Sequence, residues 1–423
     1  MIISPKKFER ALQPLVCHKE KHGIPTYLAT LDEVYEKMYW QGRDQAEKIK
    51  YYIKNAIENW GIEYVLLVGG KNGQSKNWNL PARYINLAND YEAYILSDLY
   101  FADIYDNDGN FSSWDPDMDG VYAEWLIGEQ PEDNYIDIHP DIAVGRLATR
   151  NVLEVKIVVE KIINYENTAY NKSWFKNMVA IAGDTYPQVL NNKWVGYEGE
   201  YDTDRAFENM TGFNQIKLYS SQGNLTLKNI IKFISNGCGF VYFSGHGSAI
   251  SWSTHLPNST AWTDSLITYN MISLKNYKKL PICVIGGCHN LQFDVTVFNL
   301  FNKTRLGRGE AVFECGGEWM TRKIGGGSVA TLGSTALGHT KEDKISFTGG
   351  TDQIELEFFR QYRKENVDII GDAWKNAINL YVDTYPVNWV DDPTNDSWVD
   401  FQIPSTWMLM GDPTLKIGGY PPN

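Results

Sequence analysis

A set of short apolar runs, most closed by glycine, limits this chain more than any other feature. They are IEYVLLVGG (Ile62 to Gly70), MVAIAGD (Met178 to Asp184), GFVYFSG (Gly239 to Gly245), PICVIGG (Pro281 to Gly287) and GSVATLGS (Gly327 to Ser334), with QIKLY (Gln215 to Tyr219) beside them. A run that is apolar at successive positions needs cover on both faces, as a strand inside a parallel sheet has. Helical patterns lie before, between and after the runs, at Asp44 to Trp60, after the strand and turn DIAVGRLATR (Asp141 to Arg150) to about Asn167, at Leu227 to Ser235 and at Thr351 to Glu365. Strands alternating with helices predict an α/β fold: a three-layer α/β/α sandwich around a mainly parallel sheet. The opening MIISPKKFERAL reads as a strand running into a helix. The polar stretch around Tyr170 suggests two α/β subdomains, a smaller one over 1–168 and a second over 169–423.

Charge narrows the partners. With 52 acidic against 39 basic residues the net charge is −13, which argues against nucleic acid and anionic membranes. No apolar stretch is long enough to span a bilayer, and the first residues lack the apolar core of a signal peptide. The five cysteines are odd in number and include no CxxC pair, so neither a disulfide framework nor a zinc site is expected. IGGGSVATLGST lacks the lysine of a P-loop, and no G-x-S-x-G elbow occurs.

In open α/β sheets, chemistry gathers at the carboxyl ends of the strands. FVYFS ends in Gly245-His246-Gly247, and PICVI ends in Gly286-Gly287-Cys288. An imidazole and a thiol, 42 positions apart, are thus delivered by two strand ends. A nearby histidine raises the thiolate population of a cysteine and protonates a leaving amine. The backbone N–H groups of Gly247 and Cys288 suit an oxyanion hole. Taken singly, each side chain fits a turn or a core position equally well.

FVYFSGHGSAISW followed by LPICVIGGCHNLQFD resembles the active-site pair of the gingipain-type cysteine peptidases, which have a caspase-like fold. YVLLVGG, SDLYFADI, DIAVGRLATR, ECGGEWMTRKIGGGSVATLGST and STWMLMGDPTLKI extend that resemblance, in order, over nearly the whole chain. It implies Cys288 as nucleophile and His246 as catalytic histidine, ahead of His289 and His255. Asp184, at the end of MVAIAGD, would orient the histidine; it fits a turn cap as well. Gly199-Glu200-Tyr201-Asp202 is similar to the segment that supplies the carboxylate of an Arg-binding pocket. Asp202, Glu200 and Trp252 are therefore expected to bind substrate, with Arg or Lys before the scissile bond. Asp202 and Asp204 fit equally as caps of a helix beginning near Arg205. Where Arg-specific relatives carry a Trp beside the pocket, this chain has Ala336-Leu337-Gly338-His339.

The loop Asp115-Pro116-Asp117-Met118-Asp119-Gly120 begins like an EF-hand, but position 12 is Leu126 and Glu124 comes two residues early. It is no EF-hand. Asp115, Asp117, Asp119 and Glu124 still offer oxygen ligands, and the resemblance implies a structural Ca²⁺ with no cofactor in the chemistry. It also implies protein or peptide substrates, an extracellular or cell-surface location, and a propeptide or further domains in a longer precursor. A transpeptidase or ligase using the same acyl-enzyme, and a non-catalytic adhesin on the same fold, are the rival readings.

Overall fold

The computed structural model describes residues 1–189, 196–263, 266–340, 349–389 and 395–422. Ten strands form one sheet: β1 (Ile2–Ser4), β2 (Leu28–Thr30), β3 (Tyr64–Val68), β4 (Ala143–Leu147), β5 (Asn177–Ala182), β6 (Asn214–Tyr219), β7 (Phe240–Ser244), β8 (Ile282–Gly286), β9 (Ala330–Ser334) and β10 (Trp407–Met410). Their spatial order is β6-β5-β7-β8-β9-β10-β4-β3-β1-β2. Every pairing is parallel except β9 with β10. The last strand of the chain therefore sits mid-sheet, antiparallel to β9 and parallel to β4. It joins the strands of the first half to those of the second.

Strand alternation explains the apolar runs. On β7, Phe240 and Tyr242 face a core that includes Phe358 and Phe359, whereas Val241 and Phe243 face another with Ile230 and Ile234. Successive side chains point to opposite faces, so both faces need cover. Helices α1 (Glu198–Asn209), α3 (Thr351–Arg363) and α4 (Ile370–Thr384) pack in sequence, α1 also lying against β5 and β7. Helix α2 (Leu227–Asn236) supplies Ile230 and Ile234 to the opposite core; its start is capped by Thr226, whose hydroxyl oxygen accepts from Asn229 N at 3.2 Å. This is the sandwich expected from the sequence. The mid-sheet antiparallel strand was not.

Register places the functional edge. Ser244 pairs with both Ala182 and Gly286, and Ile285 pairs with Gly333. Residues 183–185, 245–247 and 287–288 therefore leave the sheet at one level.

Candidate active site

His246 leaves β7 in a two-residue strand that pairs antiparallel with Ser251–Ser253. Its ring Nε2 lies 2.7 Å from the carbonyl oxygen of Thr185. A carbonyl only accepts, so Nε2 carries the proton and the lone pair of the neutral ring is on Nδ1. Burial holds the imidazole below its usual pKa of 6.5. Tyr186, His255 and Trp262 meet the ring edge-on at centroid distances of 5.7, 5.4 and 5.4 Å.

Cys288 follows β8 and is half-buried. Burial raises its thiol pKa, opposed by N–H groups of Gly338, Gly247 and Cys288 itself that face the sulfur. The Gly338 donor is 3.2 Å from Sγ. Three backbone donors around one sulfur make its surroundings electropositive. Asn290, 2 % exposed, fixes this turn: its Nδ2 donates to Cys288 O at 3.0 Å, and its own carbonyl accepts from Gly317 N. His289 has φ +59° and turns away, with Nε2 3.2 Å from Glu92 Oε2. Burial pushes its pKa down to about 4. His255 stacks on Trp262 at 3.9 Å.

The remaining expected residues sit as follows. Asp184 is fully buried; its Oδ2 accepts from Asn258 N at 2.7 Å, and the acceptor for His246 is the carbonyl of the next residue. Trp252 is 2 % exposed beneath the site, packed on Phe243, and its indole N–H donates to Gly286 O at 3.2 Å. Glu200 is bound to a turn, accepting from Ser221 N at 2.9 Å and Ser221 Oγ at 2.5 Å. Helix α1 starts at Glu198, so Asp202 and Asp204 lie inside it and cap nothing.

Asp202 has unexpected company. It is 1 % exposed and hydrogen-bonded to Asp352, with Glu355 also near. Burial and then these two like charges raise the Asp202 carboxyl well above its usual value, with Arg205 opposing. Glu355 lies against the end of β8, where a methyl on Gly286 would be 2.7 Å from its Oε1. Thr351, which opens the helix carrying Asp352 and Glu355, touches Gly338 beside Cys288. Asp352 and Glu355 were missed, although acids on the same helical face as Phe359 are a readable signal of a buried charge.

A second acidic group lies in the loop region. Carboxylate oxygens of Asp115, Asp117 and Asp133 fall within 4.8 Å of one another. Asp133 is 2 % exposed, its Oδ1 has no partner among the described residues, and burial raises its pKa to about 7. Hard oxygens converging this way fit Ca²⁺. Asp119 instead accepts from Val121 N at 2.7 Å, and Glu124 from Asn86 Nδ2 at 2.9 Å. Asp133 lies far enough along the chain that no loop motif marks it.

The chain is similar to known proteins over nearly its whole length. The model of peptidase family C25 matches residues 1–418. Gingipain R2 of Porphyromonas gingivalis is 22% identical over 428 residues, covering 99% of this chain and 45% of that protein. The chain thus spans less than half the length of that relative. A Lys-gingipain of the same organism is 23% identical over 212 residues, 49% of this chain and 10% of that protein. The crystal structure of the Arg-specific cysteine proteinase gingipain R superposes with a TM-score of 0.66 at 21% identity, over 99% of this chain and 78% of that one. The complex of the pro- and mature domains of RgpB from P. gingivalis gives 0.65 at 20%, over 98% and 79%. The chain belongs to peptidase family C25.

Proposed function

We propose that the chain hydrolyses internal peptide bonds through Cys288 and His246, with a preference for Arg or Lys before the scissile bond. The observation that carries this reading is a cysteine sulfur that faces the N–H groups of Gly338, Gly247 and Cys288, at the same sheet edge as a histidine whose Nε2 is held by the carbonyl of Thr185. Burial favours the thiol and the neutral imidazole, so the proton moves during attack. His246 Nδ1 takes the Sγ proton as sulfur bonds to the carbonyl carbon. The N–H groups of Gly247 and Cys288 donate to the developing oxyanion. The C–N bond then breaks, and the amine departs with the proton from His246. Water adds to the thioester, giving its proton to His246, and the C–S bond breaks to release the acid and restore the thiol.

The basic preference rests on Asp202, backed by Asp352 and Glu355, as the end of the pocket that receives the side chain. Asp115, Asp117 and Asp133 would hold a structural Ca²⁺ that braces their loops and takes no part in the chemistry. A longer, exported precursor with a propeptide belongs to the same proposal; gingipain R2 is more than twice as long as this chain, and the structure of RgpB is that of a complex of its pro- and mature domains. Fluorogenic peptides differing only in Arg or Leu before the bond test the reading, with Cys288→Ala as control. Arg substrates should be cleaved faster and only by the wild type. Equal rates, or preference for Leu, would overturn the specificity, and cleavage by Cys288→Ala would overturn the nucleophile.

A further inference from the structure

The acceptor that orients His246 is a main-chain carbonyl, so something must hold that piece of main chain. Thr185 follows β5 in a bend, outside any strand ladder. On one side of it, Asp184 exchanges backbone hydrogen bonds with His255 at 3.3 and 3.4 Å, and its Oδ2 takes Asn258 N. On the other side, Tyr186 N donates to Glu198 Oε2 at 3.1 Å. Glu198 also bonds the Asp184 carboxyl. One carboxyl group, from the first residue of α1, thus grips the segment on both sides of the Thr185 carbonyl.

Both acids are buried, Asp184 at 0 % and Glu198 at 6 % exposure. Asp184 Oδ1 and Glu198 Oε1 receive no N–H or hydroxyl from the described residues. Two buried carboxyl groups that hydrogen-bond to each other do so through a shared proton. Burial followed by the Asp184 charge supports this, raising Glu198 to about 7. Gly199 keeps the grip short: a methyl there would lie 2.8 Å from Ser244 O and 3.1 Å from Gly183 O. Only glycine lets the start of α1 press onto the ends of β5 and β7 beside His246.

We propose that Glu198 is a positioning residue for His246, holding residues 184–186 so that the Thr185 carbonyl fixes the ring with Nδ1 free to act as base. The inference rests on the Cys288–His246 reading above. It predicts a particular pattern between two variants. In Glu198→Gln, the amide N–H replaces the shared proton toward Asp184, and the amide oxygen still accepts from Tyr186 N. In Glu198→Ala, both links are lost.

The test measures kcat and KM on the best peptide substrate, together with the rate at which iodoacetamide alkylates Cys288, read by peptide mass mapping. The mapping separates Cys288 from the exposed Cys17. Glu198→Ala should lower kcat and the alkylation rate by about 10- to 100-fold, the cost of a small misplacement of a reacting group, while KM stays within about twofold. Glu198→Gln should stay within about threefold of wild type on every readout. Wild-type rates in Glu198→Ala, or a Gln variant as impaired as the Ala variant, would overturn the proposal. A wild type that is alkylated at Cys288 but cleaves no peptide would sink the peptidase reading instead, and the alkylation ratios would still decide the role of Glu198.

Discussion

Gly247 is packed so closely on Cys288 that a methyl on its α-carbon would lie 2.5 Å from the Cys288 carbonyl oxygen and 2.7 Å from the Cys288 nitrogen. The same methyl would lie 2.0 Å from Asn290 Nδ2. This contact brings two strand ends together and sets two N–H donors around one sulfur. Gly247→Ala must push the two turns apart. The expected result is a loss in kcat of about 10²- to 10³-fold, the usual effect of removing one oxyanion donor. Peptide hydrolysis at saturating substrate measures it, and a variant within threefold of wild type would argue against the oxyanion assignment.

Acid pH should disable the base at a lower point than an ordinary histidine would. Burial depresses the His246 pKa below 6.5, so the ring stays neutral until pH falls below that value. Activity limited by His246 is then retained at pH 6.5 and lost as pH falls through the depressed pKa. A pH profile of kcat/KM locates the limb; an acid limb above 6.5 would contradict the assignment.

Asp202→Asn should have opposite effects on specificity and stability. Losing one partner of a desolvated charge pair costs about 2–5 kcal/mol, so the preference for Arg over Leu should fall by at least about tenfold. Stability moves the other way. Asp202 has a raised carboxyl pKa in the folded state, so its contribution is full below the unfolded value near 3.8 and is lost as pH rises through the folded one. Removing the charge relieves that loss at pH 7 and gives no gain at pH 3. Thermal melts at both pH values check the sign, and a lower melting temperature at pH 7 would count against it.

Calcium should stabilise the fold through Asp133. At a free concentration one hundred times its Kd, a ligand bound only to the folded state adds about 2.7 kcal/mol. Melting temperature should rise with Ca²⁺ and fall with EDTA. Asp133→Asn should abolish the response, whereas Asp119→Asn and Glu124→Gln should retain it. A response lost in the Glu124 variant and kept in the Asp133 variant would restore the ligand set expected from the loop motif.

Much of the fold was legible because double burial leaves a mark on every position of a strand. Val241 and Phe243 cannot be exchanged for polar residues when one core lies above β7 and another below it. The strand of Trp407–Met410 carries the same apolar mark, yet nothing in WMLM states that it runs antiparallel in the middle of the sheet. Direction and neighbours depend on where the chain returns, which no local pattern encodes.

The site divides the same way. Composition, periodicity and the glycines around His246 and Cys288 were enough, from sequence alone, to identify an α/β sheet with an imidazole and a thiol at strand ends. A strand end is a local property, written in where the apolar run stops. Tertiary structure alone decided that Thr185 supplies a carbonyl to His246, that Asp352 and Glu355 join Asp202, and that Asp133 completes the acidic loop. Each of those depends on distances between segments far apart in the chain. Such distances are set by strand register and helix packing, and residue types do not record them.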